Sequence, residues 1–226
     1  MQFRIPLKGN KQLHILTSKG LYNILLYNKI TPLNCKRYWF EMFPDIKEVW
    51  ENVFVINTCN SFIPRNIIDF NWKLIHGVIN TESRLKRMNL SNGKCKICYG
   101  DENIVHLLVE CRDVKDIWNM FQSILKKSVF NELEICTQHK LIGMLDETNE
   151  DYLIVNMIFS IVRWILWKRR NIAKFENKIL TYYELKSFVI SNISVHIDTL
   201  LKSKGIKCSC KNKLQKVLDS MKEYKQ

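Results

Sequence analysis

Residues 95–111 read CKICYGDENIVHLLVEC, and the side chains there that can do chemistry are Cys95, Cys98, His106 and Cys111. Thiolate and neutral imidazole are the donors zinc prefers, and the order Cys-x2-Cys-x7-His-x4-Cys brings four of them together, the tight first pair suiting a knuckle turn. Four protein ligands fill a tetrahedron and leave no position at which water is activated, so one Zn2+ held this way is structural. Three thiolates and one imidazole around Zn2+ sum to a charge of about −1, which Lys94 and Lys96 are placed to offset. Gly93 and Gly100 supply permissive backbone around the knuckle. His106 and Cys111 stand five residues apart, about 140° round an α-helix, so they share an ion only if the helix ends or loosens between them. It is expected to end near Glu110. The competing reading is a chance cluster of buried cysteines beside a core histidine.

Helices must position this cluster. With seven glycines and four prolines in 226 residues, the chain favours long helices over a many-turned β-sandwich. The expected architecture is mainly α: a helical domain with a small CCHC knuckle between helices, then a C-terminal helical segment. SKGLYNILLYNKI forms a short amphipathic helix behind Thr17 or Ser18. Pro44 breaks the aromatic run RYWFEMF, and Asp45 caps a helix carrying Ile46, Val49, Trp50 and Val53. Pro64 opens a helix with Ile67, Ile68, Trp72, Ile75 and Val78 or Ile79 on one stripe, Gly77 lies within it at a place where a helix can fray or stop, and Thr81 caps a shorter helix ending near Met88. Asp113 starts an amphipathic helix through Leu125. Long helices follow over about 152–176 and 181–203, then a basic tail with modest helical periodicity. The acidic break LDETNED marks a boundary, giving segments 1–60, 61–145 and 146–226. Trp72, Trp118, Trp164 and Trp167 are read as core, and Cys35, Cys59 and Cys136 as ordinary thiols, buried or nearly so.

Charge narrows the partner. The chain carries +13 with an isoelectric point near 9.4, distributed as +5, +4, −5 and +9 over residues 1–50, 51–100, 101–150 and 151–226. Basic ends around an acidic middle fit a polyanion binder, because each neutralised phosphate releases a condensed counterion. The N-terminal stretch lacks the continuous apolar region of a signal peptide, so an intracellular, reducing setting in nucleus or cytoplasm is expected. YLIVNMIFSIVRWILW is too short for a bilayer and contains Asn156 and Arg163, so no membrane is expected. Nothing in the sequence points to a small-molecule substrate.

The run NWKLIHGVINTESRLKRM, followed by CKIC, ENIVHLLVEC and DIW within residues 71–118, resembles the reverse transcriptase zinc-binding module near the carboxyl terminus of LINE-type (non-LTR) retrotransposon polyproteins. The shared features are W-K-L-x-H-G-x-x-x-T, a following Leu with basic neighbours, the CCHC group and a Trp seven residues after the last cysteine. RWILWKRRN, residues 163–171, is similar to a W-x-x-W-K-x-R-N helix downstream in that family. The resemblance implies a polyprotein in which endonuclease and polymerase domains precede this module, and a CCHC unit that helps bind template RNA or target DNA. The sequence lacks a YxDD- or FADD-like polymerase motif, and Pro44-Asp45 reads as a helix start instead of a nuclease element. The chain is therefore expected to be a non-enzymatic C-terminal piece.

For binding, Arg84, Lys86, Arg87, Lys94 and Lys96 are the candidate phosphate contacts, which position a strand without reading its sequence. Tyr99 either stacks on an unpaired base or only covers the metal site. Lys168, Arg169, Arg170 and Lys174 either extend the phosphate track or complement the helix dipole. Two other classes stay open: a helical protein-interaction module whose zinc serves only the fold, and a nuclease with an unrecognised site.

Overall fold

The computed structural model describes residues 33–131, 134–145 and 150–224. The helix expected over residues 18–30 lies outside the described residues. Within these limits the molecule is helical, with no strand and one isolated antiparallel bridge, Lys94 to Asp101.

α1 (Leu33–Met42) stops before Pro44, which starts a 3-10 turn (Pro44–Lys47), and α2 (Trp50–Thr58) follows. Asp45 thus lies inside a short turn instead of capping one continuous helix. The expected apolar side is still buried through Ile46, Trp50 and Val53, because the turn keeps their faces aligned. α3 (Arg65–Ile75) begins after Pro64 and ends as expected at Gly77, whose φ of +62° only glycine adopts without cost. There Gly77 N–H donates to Leu74 O at 2.9 Å and Val78 N–H to Lys73 O at 2.9 Å, the paired bonds of a Schellman stop. The Thr81 hydroxyl then accepts from the N–H of Arg84, starting α4 (Glu82–Arg87). The His-Gly and Thr of the sequence signature are therefore a helix stop and a helix start.

Five further helices follow among the described residues: α5 (Val114–Ser128), α6 (Thr137–Ile142), α7 (Glu150–Phe175), α8 (Tyr182–Lys202) and α9 (Cys208–Lys222). α7 is the axis. It packs against α2, α3, α6, α8, α9 and the turn after the knuckle, and Ile154, Val155, Met157, Ile158, Phe159, Val162 and Ile165 are wholly buried. A helix apolar on most of its circumference belongs at the centre of a core, and no helix among the described residues is long and apolar enough to cross a membrane.

The polar residues inside α7 are hydrogen-bonded, as burial requires. Asn156 exchanges bonds with the backbone of Met144 at 2.7 and 2.9 Å. Arg163, 0% exposed, donates to Leu141 O, Asn57 Oδ1 and Ser160 Oγ at 2.8 to 2.9 Å. Burial pushes its guanidinium down to about 9, still above neutral, so it stays charged.

Three expectations change. Trp118 is buried, but Trp72, Trp164 and Trp167 are half-buried at the edge of the core. Cys59 and Cys136 are exposed, since one ends α2 and the other precedes α6, outside either helix's apolar face. The tail is a full helix, α9, that buries Leu214, Val217, Leu218 and Met221. The Cys35 side chain lies outside the described residues.

Candidate metal centre

The knuckle is a short loop closed by backbone bonds. Tyr99 N–H donates to Cys95 O at 2.9 Å, Cys95 N–H to Gly100 O at 2.8 Å, and Glu102 N–H to Gly93 O at 3.0 Å. Gly93 takes φ +85°, as its residue type suggested. Gly100 does not need a positive φ; its missing side chain lets the His106 ring approach, since a Cβ there would sit 3.2 Å from His106 Cε1. The other left-handed residue of the loop is Tyr99, at φ +63°.

The second half of the site solves the spacing problem in a specific way. Asn103 Oδ1 accepts the N–H of His106 at 2.8 Å and starts the helical segment. Residues His106–Glu110 then form a π turn, closed by Cys111 N–H donating to His106 O at 2.8 Å. That i to i+5 bond is wider than an α turn and places residues 106 and 111 one above the other. The chain leaves the helix at Cys111, with ψ 153°, so the helix ends near Glu110 as expected. The Trp118 indole N–H donates to Leu108 O at 2.8 Å, satisfying a carbonyl inside the π turn. This explains the Trp seven residues after the last cysteine.

Together these elements gather the ligand atoms of Cys95, Cys98, His106 and Cys111 within 4.8 Å of one another. Cys95 Sγ to Cys111 Sγ is 3.8 Å, Cys98 Sγ to Cys111 Sγ 3.9 Å, and Cys98 Sγ to His106 Nε2 3.2 Å. Bond lengths of about 2.3 Å for Zn–S and about 2.05 Å for Zn–N in a tetrahedron give roughly 3.8 Å between sulfurs and roughly 3.6 Å from sulfur to nitrogen. The donor set fits one zinc ion. The Ile97 N–H also points at Cys95 Sγ, at 3.4 Å, a polarising contact of the kind that favours thiolate. A hydrogen bond from Cys111 holds the Cys95 thiol far below its ordinary range, at about 3, and the same bond pushes Cys111 up. The His106 imidazole is raised by its hydrogen bond to Cys95. Without a cation the cluster thus favours one thiolate, at Cys95, with Cys111 as its donor.

The basic residues divide into two groups. Lys86 and Lys96 are exposed at the knuckle, with the Lys86 stem lying over Gly93, and Arg87 is exposed at the end of α4, within electrostatic reach of Tyr38. Lys94 is exposed and pairs with Asp101 at 3.0 Å. Arg84 is half-buried and donates to Gly77 O at 2.8 Å. Tyr99 is 76% exposed, and Met88 and Leu90 are exposed on the stretch leading into the loop.

The second basic cluster turns inward. Arg169 and Arg170 are 2% and 3% exposed, which removes them from any phosphate track. Arg169 bonds Arg112 O and Asp113 Oδ2, and Arg170 bonds Glu102 and Glu82. Lys174 is partly buried and pairs with Glu82 at 2.5 Å. Lys168 lies over the Trp164 ring at 3.9 Å. The physical reason is charge balance: the buried carboxylates Glu82 and Glu102 need cations, and α7 supplies them. Sequence reasoning missed Glu82 and Glu102 as buried acids. For Glu102 the available signal was the acidic excess of residues 101–150 beside a basic helix; Glu82, in the basic stretch before it, gave none. Asp113 does begin α5, but its carboxylate turns to Arg169 and makes no cap.

Residues 17–118 match the family model for zinc-binding in reverse transcriptase. A curated relative, the Transposon TX1 uncharacterized 149 kDa protein of Xenopus laevis, is 22% identical over 163 residues, 70% of this chain. The chain spans 12% of that relative's length. No solved structure matches.

Proposed function

We infer, from a chain whose residues 17–118 carry the zinc-binding module of a retrotransposon-type reverse transcriptase, that it binds single-stranded nucleic acid through the outer face of its metal knuckle. Within a polyprotein in nucleus or cytoplasm, it would position template RNA or target DNA for a polymerase domain carried elsewhere in that polyprotein. Cys95, Cys98, His106 and Cys111 hold one structural zinc, which fixes the loop. Lys86, Arg87, Lys94 and Lys96 meet backbone phosphates, and Arg84 anchors the end of α3 to α4 beneath them. Residues 61–145 are the segment that does this, joined to the leader before and the helical region after.

One observation carries the reading: Tyr99 stands 76% exposed at φ +63° on the metal loop, beside that basic rim. A large aromatic held out in a backbone conformation disfavoured for its residue type is a stacking platform for an unpaired base, which covers the metal site only incidentally. The test is binding of labelled single-stranded RNA and DNA at several salt concentrations. Affinity should fall with a log–log slope of roughly −0.7 per phosphate contacted, and Lys86→Gln with Lys96→Gln should flatten that slope. A salt-independent affinity would refute the reading.

A further inference from the structure

The two arginines that leave the surface touch the chain on both sides of the ligand set. Arg169 Nη1 donates to Arg112 O at 2.8 Å and Nη2 to Asp113 Oδ2 at 2.9 Å, at the two residues directly after Cys111. Arg170 Nε donates to Glu102 Oε1 at 2.9 Å, and its Nη2 to Glu82 Oε1. Glu102 lies between Cys98 and His106, and its backbone N–H closes the knuckle onto Gly93. The same Glu102 carboxylate accepts the N–H of Glu82 at 2.9 Å, and Ser83 N–H donates to Glu102 O at 3.0 Å, tying the loop to the start of α4. Ser91, two residues before Gly93, donates to Glu82. Both guanidinium groups belong to adjacent residues of α7, the central helix of the core.

We propose that Arg169 and Arg170 are positioning residues of the metal centre: α7 holds the two flanks of the CCHC loop in ligating register, so that zinc affinity depends on a helix more than fifty residues beyond the last ligand. The proposal rests on the reading of Cys95, Cys98, His106 and Cys111 as a zinc site. Its physical basis is that the two guanidiniums pair with buried or part-buried carboxylates on the loop's own flanks, Asp113, Glu102 and Glu82, and a buried charge holds its partner in place. A planar fork of donors fixes geometry in a way a flexible ammonium does not. It also gives the tandem arginines of RWILWKRRN a role other than nucleic-acid contact.

The experiment uses the full-length protein loaded with Co2+ or Zn2+. Affinity is measured by competition with a chromophoric chelator, and site geometry by the visible absorption of Co2+ in a tetrahedral sulfur-rich field. Arg169→Met and Arg170→Met should each weaken metal binding by about 10- to 100-fold, the range for outer partners of metal ligands, and alter the Co2+ spectrum. Arg170→Lys, which keeps the charge and loses the fork, should recover some of the affinity. Lys213→Met, which breaks the ion pair of α9 with Asp151 on α7 far from the loop, should bind metal as the parent protein does. If Arg170→Met does not fold, Arg169→Lys and Arg170→Lys carry the test. Parental affinity and spectrum in the arginine variants, or an equal loss in Lys213→Met, would overturn the proposal. Absence of metal binding by the parent protein would instead overturn the metal reading beneath it.

Discussion

Tyr99→Gly separates binding from folding in one substitution. Left-handed backbone costs a residue with a Cβ about 1–2 kcal/mol, and Tyr99 at φ +63° bears that cost in the folded state. Glycine removes it and loses about 0.5–1 kcal/mol through its freer unfolded chain. The ring is 76% exposed, so little burial is forfeited, and the bond from the residue 99 N–H to Cys95 O survives. Net stability should thus stay level or rise by about 1 kcal/mol. Base stacking on an aromatic ring contributes about 1–3 kcal/mol, so single-stranded RNA affinity should fall roughly 5- to 150-fold. The assay is fluorescence anisotropy at fixed salt beside thermal unfolding of the same zinc-loaded samples. Tyr99→Phe should keep affinity, and Tyr99→Ala should lose it while staying less stable than Tyr99→Gly. An affinity for Tyr99→Gly within about twofold of the parent, well short of the loss that stacking predicts, would show that the ring only covers the site.

Three further outcomes follow from the metal centre. Elemental analysis should find about one zinc per chain, and Cys98→Ser should lose it with a large drop in thermal stability, because metal-binding free energy is folding free energy in such loops; an unchanged melting temperature would refute the ligand set. Trp118→Phe leaves Leu108 O without its indole donor and should cost about 1–3 kcal/mol in denaturant unfolding, with weakened zinc affinity, since that carbonyl belongs to the π turn between His106 and Cys111. Acidification should release the ion, because thiolate and neutral imidazole must be protonated to let go. Glu82 adds to the same trend: burial raises its carboxyl, but the hydrogen bonds of Lys174 and Ser91 and the charges of Arg170 and Lys174 win and hold it below the ordinary range. A depressed carboxyl stabilises the fold above its unfolded value and loses that contribution as pH falls through the folded one. Metal release and unfolding should therefore run together on the acid side, and Glu82→Gln should reduce the acid-side slope.

What the sequence made legible was punctuation and ligand type. Gly77, Thr81 and Pro64 act through their own backbone or hydroxyl, so their positions predict stops and starts without knowledge of any neighbour. The four candidate metal ligands were readable because donor type and spacing are local facts, and the 106–111 interval even announced that an α-helix would not serve. That it would be answered by a π turn was not readable, since the turn depends on a carbonyl being satisfied by Trp118 from the next helix. Arg169 and Arg170 show the same limit in charge. A run of cations at a helix end looks alike whether it faces phosphate or carboxylate, and only the fold shows that Glu82, Glu102 and Asp113 lie opposite. Glu102 and Asp113 of the acidic middle, and Glu82 before it, are thus paired with the basic end of α7. The net charge therefore overstates the positive surface, since Arg169, Arg170 and Lys174 are paired inside while Lys86, Arg87 and Lys96 stay exposed.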